Sequence, residues 1–279
     1  MRKRKFCLII LWSINMIKLE LPTHFNVEYP LKNIRYYTSY GKKKIAPLLM
    51  QSCNSYCMYC GKTVKVESDK RYNIEHSVDK DGNIHQEYDT YDFLKHCKYN
   101  LAIACEECNM VCKKAVDKLN FAEYVPFPKC KKKCHEPCES YMALRNDYMK
   151  KNAIILQPLG ICSPIEYKIN YNLLKHIFVP AYDGDDERIR FFIQNHIDRF
   201  ELNGRRFTLN VVDICVKIVT WYGNGTIKYD ALMENLSMES FSNIMGVLFR
   251  EYLQLEFNEQ SVKKMVDFCK LLVILDAVP

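Results

Sequence analysis

The sequence has few of the residues that interrupt regular structure, and it has no long apolar run. Glycine and proline account for 9 and 10 of its 279 residues, and 48% of the residues are hydrophobic. These values exclude collagen-like, low-complexity and wholly disordered chains, and they fit one or two globular domains. The apolar stretch at residues 6–17 is interrupted by Ser13 and Asn15 and is much shorter than the ~20 residues that span a bilayer. We therefore expect no membrane contact.

Acidic residues are scarce near the amino terminus. The formal net charge is +7, and residues 1–50 carry 10 basic and 2 acidic side chains, so the excess lies there. Positive charge alone indicates only that an anionic partner is plausible. Basic residues at 2–5 precede the apolar stretch as in a secretory signal, but no small-x-small cleavage site follows. We interpret residues 1–15 as an upstream extension before a translation start at Met16, with the secretory signal as the alternative.

Cysteine, by contrast, is abundant and clustered. Ten of the 14 cysteines lie between Cys53 and Cys138, many of them in C-x-x-C or C-x-x-x-C steps. A secreted disulfide scaffold is usually short and has cysteine throughout, whereas clustered pairs in a reducing compartment favour metal binding. We therefore expect a cytoplasmic protein that binds zinc.

Composition divides the rest of the chain into four segments. Residues 16–50 mix basic and aromatic side chains and are predicted to form an extended arm. Residues 51–128 hold the paired cysteines, 129–153 are rich in cysteine and lysine, and 154–279 are predicted to be mostly helical. The overall prediction is an α+β protein.

Local patterns predict some of the individual elements. Alternation predicts a strand over 71–76 and, more weakly, a hairpin over 165–179. A helix is predicted to follow the second cysteine pair through Lys118. Apolar stripes predict further helices after Gly184 and near 208–222, 228–256 and 259–276.

Two C-x-x-C pairs form the most specific motif, Cys57/Cys60 and Cys105/Cys108. Four thiolates close a tetrahedral zinc site, so this metal would stabilise the fold without contacting a substrate. The interval between the pairs is longer than in a plain zinc ribbon, which indicates that the intervening residues have another role.

Glu75, His76 and Asn109 lie in or next to that interval. Histidine is the side chain best suited to take a proton from water near neutral pH. Glutamate and asparagine oxygens are hard donors that suit Mg²⁺. A hard metal beside a general base is an arrangement that cleaves phosphodiesters.

These motifs, with Asn100-Leu101, resemble the HNH endonucleases that have a ββα-metal core and two zinc knuckles. The resemblance implies that His76 activates water, that Glu75 and Asn109 hold one divalent cation, Mg²⁺ or Mn²⁺, and that Asn100 orients the loop or the base. It also implies that the fold is a zinc-stabilised ββα-metal core followed by a mainly α-helical region. The chain departs from the family pattern after His76. It also has Cys112, with Lys113 beside it, where the family usually has lysine.

A looser likeness extends along the chain. It is carried by the short segments 16–19, 127–128, 155–158 and 200–203. They are similar to the HNH subunits of bacterial Septu-type and retron-linked anti-phage systems. That likeness implies an ABC-type ATPase as partner and DNA or RNA as substrate.

Two weaker site predictions accompany the core. The spacing of Cys130, Cys134 and Cys138 favours a second zinc, with a solvated turn as the alternative. Lys113 and Lys114 are predicted to contact nucleic-acid phosphates. The lysine runs at 42–44 and 131–133 could make the same contacts, with plain exposed surface as the alternative.

Other functions remain open from the sequence. The main alternative is a zinc-stabilised nucleic-acid-binding or adaptor protein with an inactive HNH core. The other is a stand-alone modification-dependent restriction enzyme, which the absence of an obvious base-reading module after residue 180 argues against.

Overall fold

The computed structural model is a mixed α/β protein. It describes residues 18–66, 69–80, 88–113, 133–158, 167–181, 186–204, 208–222, 224–225 and 228–277. Within these ranges no helix is long and apolar enough to cross a bilayer. The interpretation of residues 1–15 falls outside the described residues.

The strands and helices in chain order are β1 (Lys18–Leu21), α1 (Ser39–Ser52), β2 (Lys65–Val66), β3 (Asp69–Lys70), β4 (Asn73–His76), α2 (Tyr88–His96), β5 (Leu101–Ala104), α3 (Glu139–Asn152), β6 (Ile169–Asn172), β7 (Ile177–Pro180), α4 (Glu187–Arg199), α5 (Thr208–Trp221), α6 (Tyr229–Met238), α7 (Ile244–Glu256) and α8 (Val262–Ala277). Short 3₁₀ turns cover Lys98–Asn100 and Glu259–Ser261, and a π-helical turn covers Cys108–Cys112.

The chain forms two compact units whose boundaries differ from the predicted linear segments. One unit, here called the knuckle unit, comprises residues 22–168 and 182–200, and the other comprises 1–21, 169–181 and 201–279. Helix α4 belongs to the knuckle unit because its buried residue His196 contacts the first knuckle, the turn formed by residues 57–60. The Nε2 atom of His196 lies 3.4 Å from the Tyr59 carbonyl oxygen.

In the knuckle unit, β4 and β5 pair in antiparallel register. Glu75 lies opposite Ala102, and His76 lies opposite Leu101. All four residues of β5 are apolar and buried, so this strand fixes β4 in the core. Successive side chains of a strand point to opposite faces, so Glu75 and His76 point in opposite directions.

Helix α1 occupies a region that the sequence indicated would be an extended arm. The Thr38 hydroxyl caps it by accepting a hydrogen bond from the Gly41 amide at 3.1 Å. Gly41 is required there, because a Cβ atom would lie 2.3 Å from the Arg35 carbonyl oxygen. Ile45 and Leu49 are fully buried, so packing holds the helix despite its charged sequence.

The other unit combines a small sheet with helices. Strand β6 pairs antiparallel with β1 on one side and with β7 on the other. The β6–β7 hairpin overlaps the predicted one. The helical run predicted over 228–256 is interrupted between α6 and α7, where the Asn243 side chain caps α7 by accepting from the Met245 amide at 2.9 Å.

Candidate functional site

The four cysteines of the two C-x-x-C pairs meet in the core of the knuckle unit. They are all buried, and their sulfur atoms lie within 4.8 Å of one another. The Gly61 amide donates to the Cys57 carbonyl at 2.8 Å, and Gly61 has a φ of 71°, which a residue with a side chain rarely adopts. The first knuckle therefore closes in a tight turn, and this turn brings Cys57 and Cys60 next to Cys105 and Cys108.

The chemistry of this cluster fits zinc. Hydrogen bonding to Cys108 lowers the pKa of the Cys105 thiol, and the same kind of contact with Cys105 raises the pKa of the Cys60 and Cys108 thiols. The cluster thus favours one thiolate, because four unshielded thiolates this close would repel each other. A zinc ion would stabilise all four thiolates, so the site can hold a structural zinc.

His76 lies at the end of β4. Its Nε2 lies 3.2 Å from the Lys95 carbonyl oxygen, which can only accept a hydrogen bond. The contact favours the neutral tautomer that carries its proton on Nε2, and in that tautomer Nδ1 is the basic nitrogen. The Tyr37 ring lies against the imidazole edge, with ring centroids 4.4 Å apart.

Glu75 is enclosed on the other face of β4. Lys113 Nζ donates to its Oε2 at 2.5 Å, and the Tyr59 hydroxyl donates to its Oε1. Lys113 also donates to the His76 carbonyl oxygen at 2.8 Å. Burial, followed by the charge of Glu75, raises the pKa of Tyr59 well above its usual value, so Tyr59 remains a donor.

The π-helical turn explains how Lys113 reaches this position. The Lys113 amide donates to the Cys108 carbonyl at 3.1 Å, a bond that residue 112 would make in an α-helix. The turn therefore absorbs one extra residue, and the lysine next to Cys112 takes the place that Cys112 would have had. As placed, the Lys113 ammonium is bonded inside the protein, and Lys114 falls outside the described residues.

The placement of Glu75 bears on the expected Mg²⁺ site. Its side chain is fully buried and is opposed by the Lys113 ammonium, and it points away from the face that carries His76. A divalent cation at Glu75 would have to displace Lys113. The pair Glu75 and Asn109, as placed, does not form a fitted site for such a cation.

Asn100 is buried and fastens the loop that follows His76. Its Oδ1 accepts from the Val78 amide at 2.8 Å, and its Nδ2 donates to the carbonyl oxygens of Val78 and Leu94 at 3.0 and 2.9 Å. The Tyr141 hydroxyl donates to Asn100 Oδ1 at 2.9 Å. These bonds tie the end of β4 to α2 and α3.

A cleft of about 720 Å³ opens next to β4. It brings together Lys42 and Lys43 from α1, Lys65 from β2 and Asn109 from the π-helical turn. No acidic residue lines it in the described part of the chain. The remaining lining residues are Tyr37, Ala46, Pro47, Met50, Ser55, Tyr72, Asn73 and Ile74.

Two adjacent residues of β4, Asn73 and Ile74, line the cleft, whereas His76 does not. Ile74 lies two residues before His76, so these two side chains project from the same face of the strand. Tyr37 lines the cleft and also contacts the imidazole. Asn109 therefore lines the cleft directly, and His76 is connected to the cleft through Tyr37.

Lys42 and Lys43 belong to a lysine run that the sequence offered as a possible phosphate contact, and both line the cleft. Tyr37 and Lys65 were not among the predicted site residues. Tyr37 lies in a visibly aromatic segment, which was the available signal, whereas no sequence pattern indicated that Lys65 of β2 reaches the cleft.

The described part of the second predicted zinc site forms no metal cluster. Cys134 Sγ lies 3.2 Å from Asn33 Oδ1 as a hydrogen-bond donor, and neither Cys134 nor Cys138 joins a group of metal-ligand type within the described ranges. Cys130 falls outside the described residues.

Comparison with known proteins finds no match: no protein-family model, no curated protein and no solved structure matches the chain.

Proposed function

We propose that this protein is an HNH-type endonuclease that hydrolyses phosphodiester bonds of nucleic acid. One observation carries the proposal. A cleft lined by three lysines, without an acidic residue in the described part of the chain, also contains Asn109, and Tyr37 in its wall contacts His76. A cationic cleft suits a phosphate backbone, and a histidine beside it suits the activation of water.

In this proposal His76 is the general base. The Lys95 carbonyl orients the imidazole through Nε2, and the histidine takes the proton from the water that attacks phosphorus. The lysines bind the phosphate and offset its charge, and Asn109 contacts the scissile group. The zinc cluster acts indirectly, because Asn109 follows directly on Cys108 and depends on the second knuckle for its position.

HNH enzymes require a divalent cation, and the described residues do not complete a site for one: Asn109 offers a single amide oxygen, and the described cleft lining has three lysines and no carboxylate. No step of the proposal is therefore assigned to Mg²⁺ or Mn²⁺. Glu75 contributes no step, because Lys113 and Tyr59 occupy its carboxylate.

The engagement of Glu75 also favours the second candidate function, a zinc-stabilised protein that binds nucleic acid without cutting it. Both candidates use the same cleft, and they differ in whether His76 acts on water.

The deciding experiment incubates the zinc-loaded protein with DNA and RNA in Mg²⁺ and compares it with the His76→Ala variant. We expect cleavage by the unsubstituted chain and a decrease of ~10²–10⁴-fold in the variant, the usual contribution of a general base. His24→Ala is the matched control, since His24 is an exposed histidine of the same unit. Cleavage that survives His76→Ala would refute the mechanism, and binding without cleavage would establish the second candidate.

The biological setting is a proposal from resemblance alone. The likeness to the HNH subunits of Septu-type and retron-linked systems suggests an anti-phage nuclease that acts with an ABC-type ATPase. Co-purification with an ATPase encoded by a neighbouring gene, and phage protection that requires His76, would test it. Protection by the His76→Ala variant would contradict it.

A further inference from the structure

The cleft beside β4 has a chemical character that a phosphate site alone does not explain. Its lysines account for phosphate binding, yet Ala46, Pro47, Met50 and Ile74 also line it. A surface that binds only phosphate needs donors and positive charge, and apolar side chains add nothing to such contacts.

Apolar and aromatic surface is complementary to the face of a nucleobase. In a duplex the base faces are stacked on each other, so a protein meets only phosphates, sugars and base edges. Unpaired nucleotides expose their faces, and proteins bind them by stacking on aromatic rings next to a positively charged groove. Tyr37 and Tyr72 both line the cleft, beside the three lysines.

The two tyrosines differ in how much of each ring is already engaged. The Tyr37 ring has Lys42 Nζ 3.7 Å from its centroid and also packs against the His76 imidazole, with ring centroids 4.4 Å apart. Tyr72 precedes β4 and is partly exposed where it lines the cleft. Tyr72 is therefore the residue that we assign to a base.

The size of the cleft agrees with such an occupant. Its volume of about 720 Å³ lies within the ~300–1,000 Å³ range of sites that enclose small organic groups. A base with its sugar and phosphate is a group of this class, whereas a duplex could only lie across the opening.

We propose that the cleft binds unpaired nucleotides of a nucleic-acid strand, with Tyr72 stacking on a base and Lys42, Lys43 and Lys65 contacting the flanking phosphates. This inference depends on the proposed function and makes it more specific, since the substrate becomes a single strand or the unpaired part of a structured nucleic acid. His76 and Asn109 then act on the phosphate next to the bound base.

The test measures binding separately from cleavage. The zinc-loaded His76→Ala chain is titrated into a fluorescein-labelled oligo(dT) strand, and into the same strand paired with oligo(dA), while fluorescence anisotropy is recorded. We expect the single strand to bind roughly tenfold more tightly or better. Tyr72→Ala should weaken single-strand binding by roughly 5- to 150-fold, the usual range for loss of one stacked base, and should leave duplex binding unchanged.

Matched variants keep this test falsifiable. Tyr72→Phe preserves the ring and should preserve binding, and Tyr40→Ala removes an exposed tyrosine of α1 that does not line the cleft. Lys43→Gln should weaken strand and duplex alike, with a smaller salt dependence for both. Lys44 is an exposed neighbour that does not line the cleft, so Lys44→Gln should leave the binding of strand and duplex unchanged. One bound zinc per chain in each variant shows that the knuckles are folded.

Three results would overturn the inference. The first is equal affinity for strand and duplex, and the second is equal weakening of both by Tyr72→Ala. The third is displacement of the strand by free dTMP at matched concentration, because that result would assign the cleft to a free nucleotide. The cleavage assay is read independently. His76-dependent cutting of a duplex without a single-strand preference would refute only this inference, whereas absence of any cutting would refute the proposed nuclease.

Discussion

Glu75 and Lys113 form an ion pair in which both side chains are shielded from water. Their exposed fractions are 0% and 7%, and the Nζ to Oε2 distance is 2.5 Å. Breaking a buried pair by removing one charge typically costs ~3–5 kcal/mol, because the remaining charge has no partner. Glu75→Gln should therefore lower the free energy of unfolding by about that amount, as measured by urea titration of the zinc-loaded protein.

The double variant separates a structural from a catalytic role. Glu75→Gln combined with Lys113→Met removes both charges and should recover most of the lost stability. If Glu75 instead binds the catalytic cation, Glu75→Gln would abolish cleavage and leave stability nearly unchanged. That result would require Lys113 to move aside in the active protein.

The orientation of Glu75 illustrates what a linear motif omits. The sequence places Glu75 and His76 between the two knuckles and Asn109 directly after Cys108. The predicted strand over 71–76 implies that Glu75 and His76 point to opposite faces, but it could not show that the Glu75 face is buried against Lys113. That outcome depends on the β5 register and on the extra residue of the π-helical turn, and neither is visible as a local pattern.

At the scale of elements, the two knuckles position β4, β5 and the π-helical turn around the four cysteines. A metal present at ~1,000 times its Kd stabilises the folded state by about 4.1 kcal/mol. Cys105→Ser should therefore abolish binding of one zinc per chain and lower the unfolding free energy by at least that order. Elemental analysis and urea titration are the two measurements.

Cys53→Ser is the matched control for that change. Cys53 is buried close in sequence to the first knuckle, but it does not belong to the cluster, and burial raises the pKa of its thiol to about 12. The Cys53→Ser variant should keep the zinc. Loss of zinc in both variants, or in neither, would contradict the assignment of the metal to the four clustered cysteines.

Periodicity predicted those elements whose side chains form a clear stripe or alternate. The β6–β7 hairpin and α8 lie close to their predicted ranges, because one face of each is apolar. Strand β4 also lies within its predicted range, where Tyr72 and Ile74 alternate with polar residues, although its buried residue is Glu75. Helix α1 was missed because three consecutive lysines and Pro47 obscure its pattern. Its buried side, including Ile45 and Leu49, can be recognised only from what packs against it.

At the scale of the whole molecule, one buried histidine links stability to pH. His196 accepts a hydrogen bond from the Ile155 amide at its Nδ1 at 3.2 Å, and its Nε2 faces the Tyr59 carbonyl, so its neutral form is satisfied. Burial lowers the pKa of His196 from 6.5 to about 3. Between these two pH values the unfolded chain binds a proton that the folded chain does not.

Stability should consequently be fully present above about pH 6.5 and should decrease as the pH falls toward 3. The contribution of His196 amounts to about 2 kcal/mol between pH 7 and pH 5, measured as the change in unfolding free energy. Acid also releases zinc, so the comparison is with His196→Gln, which cannot titrate and retains a donor and an acceptor. The variant should lose that part of the pH dependence, and the same slope in both proteins would show that the zinc cluster alone controls acid unfolding.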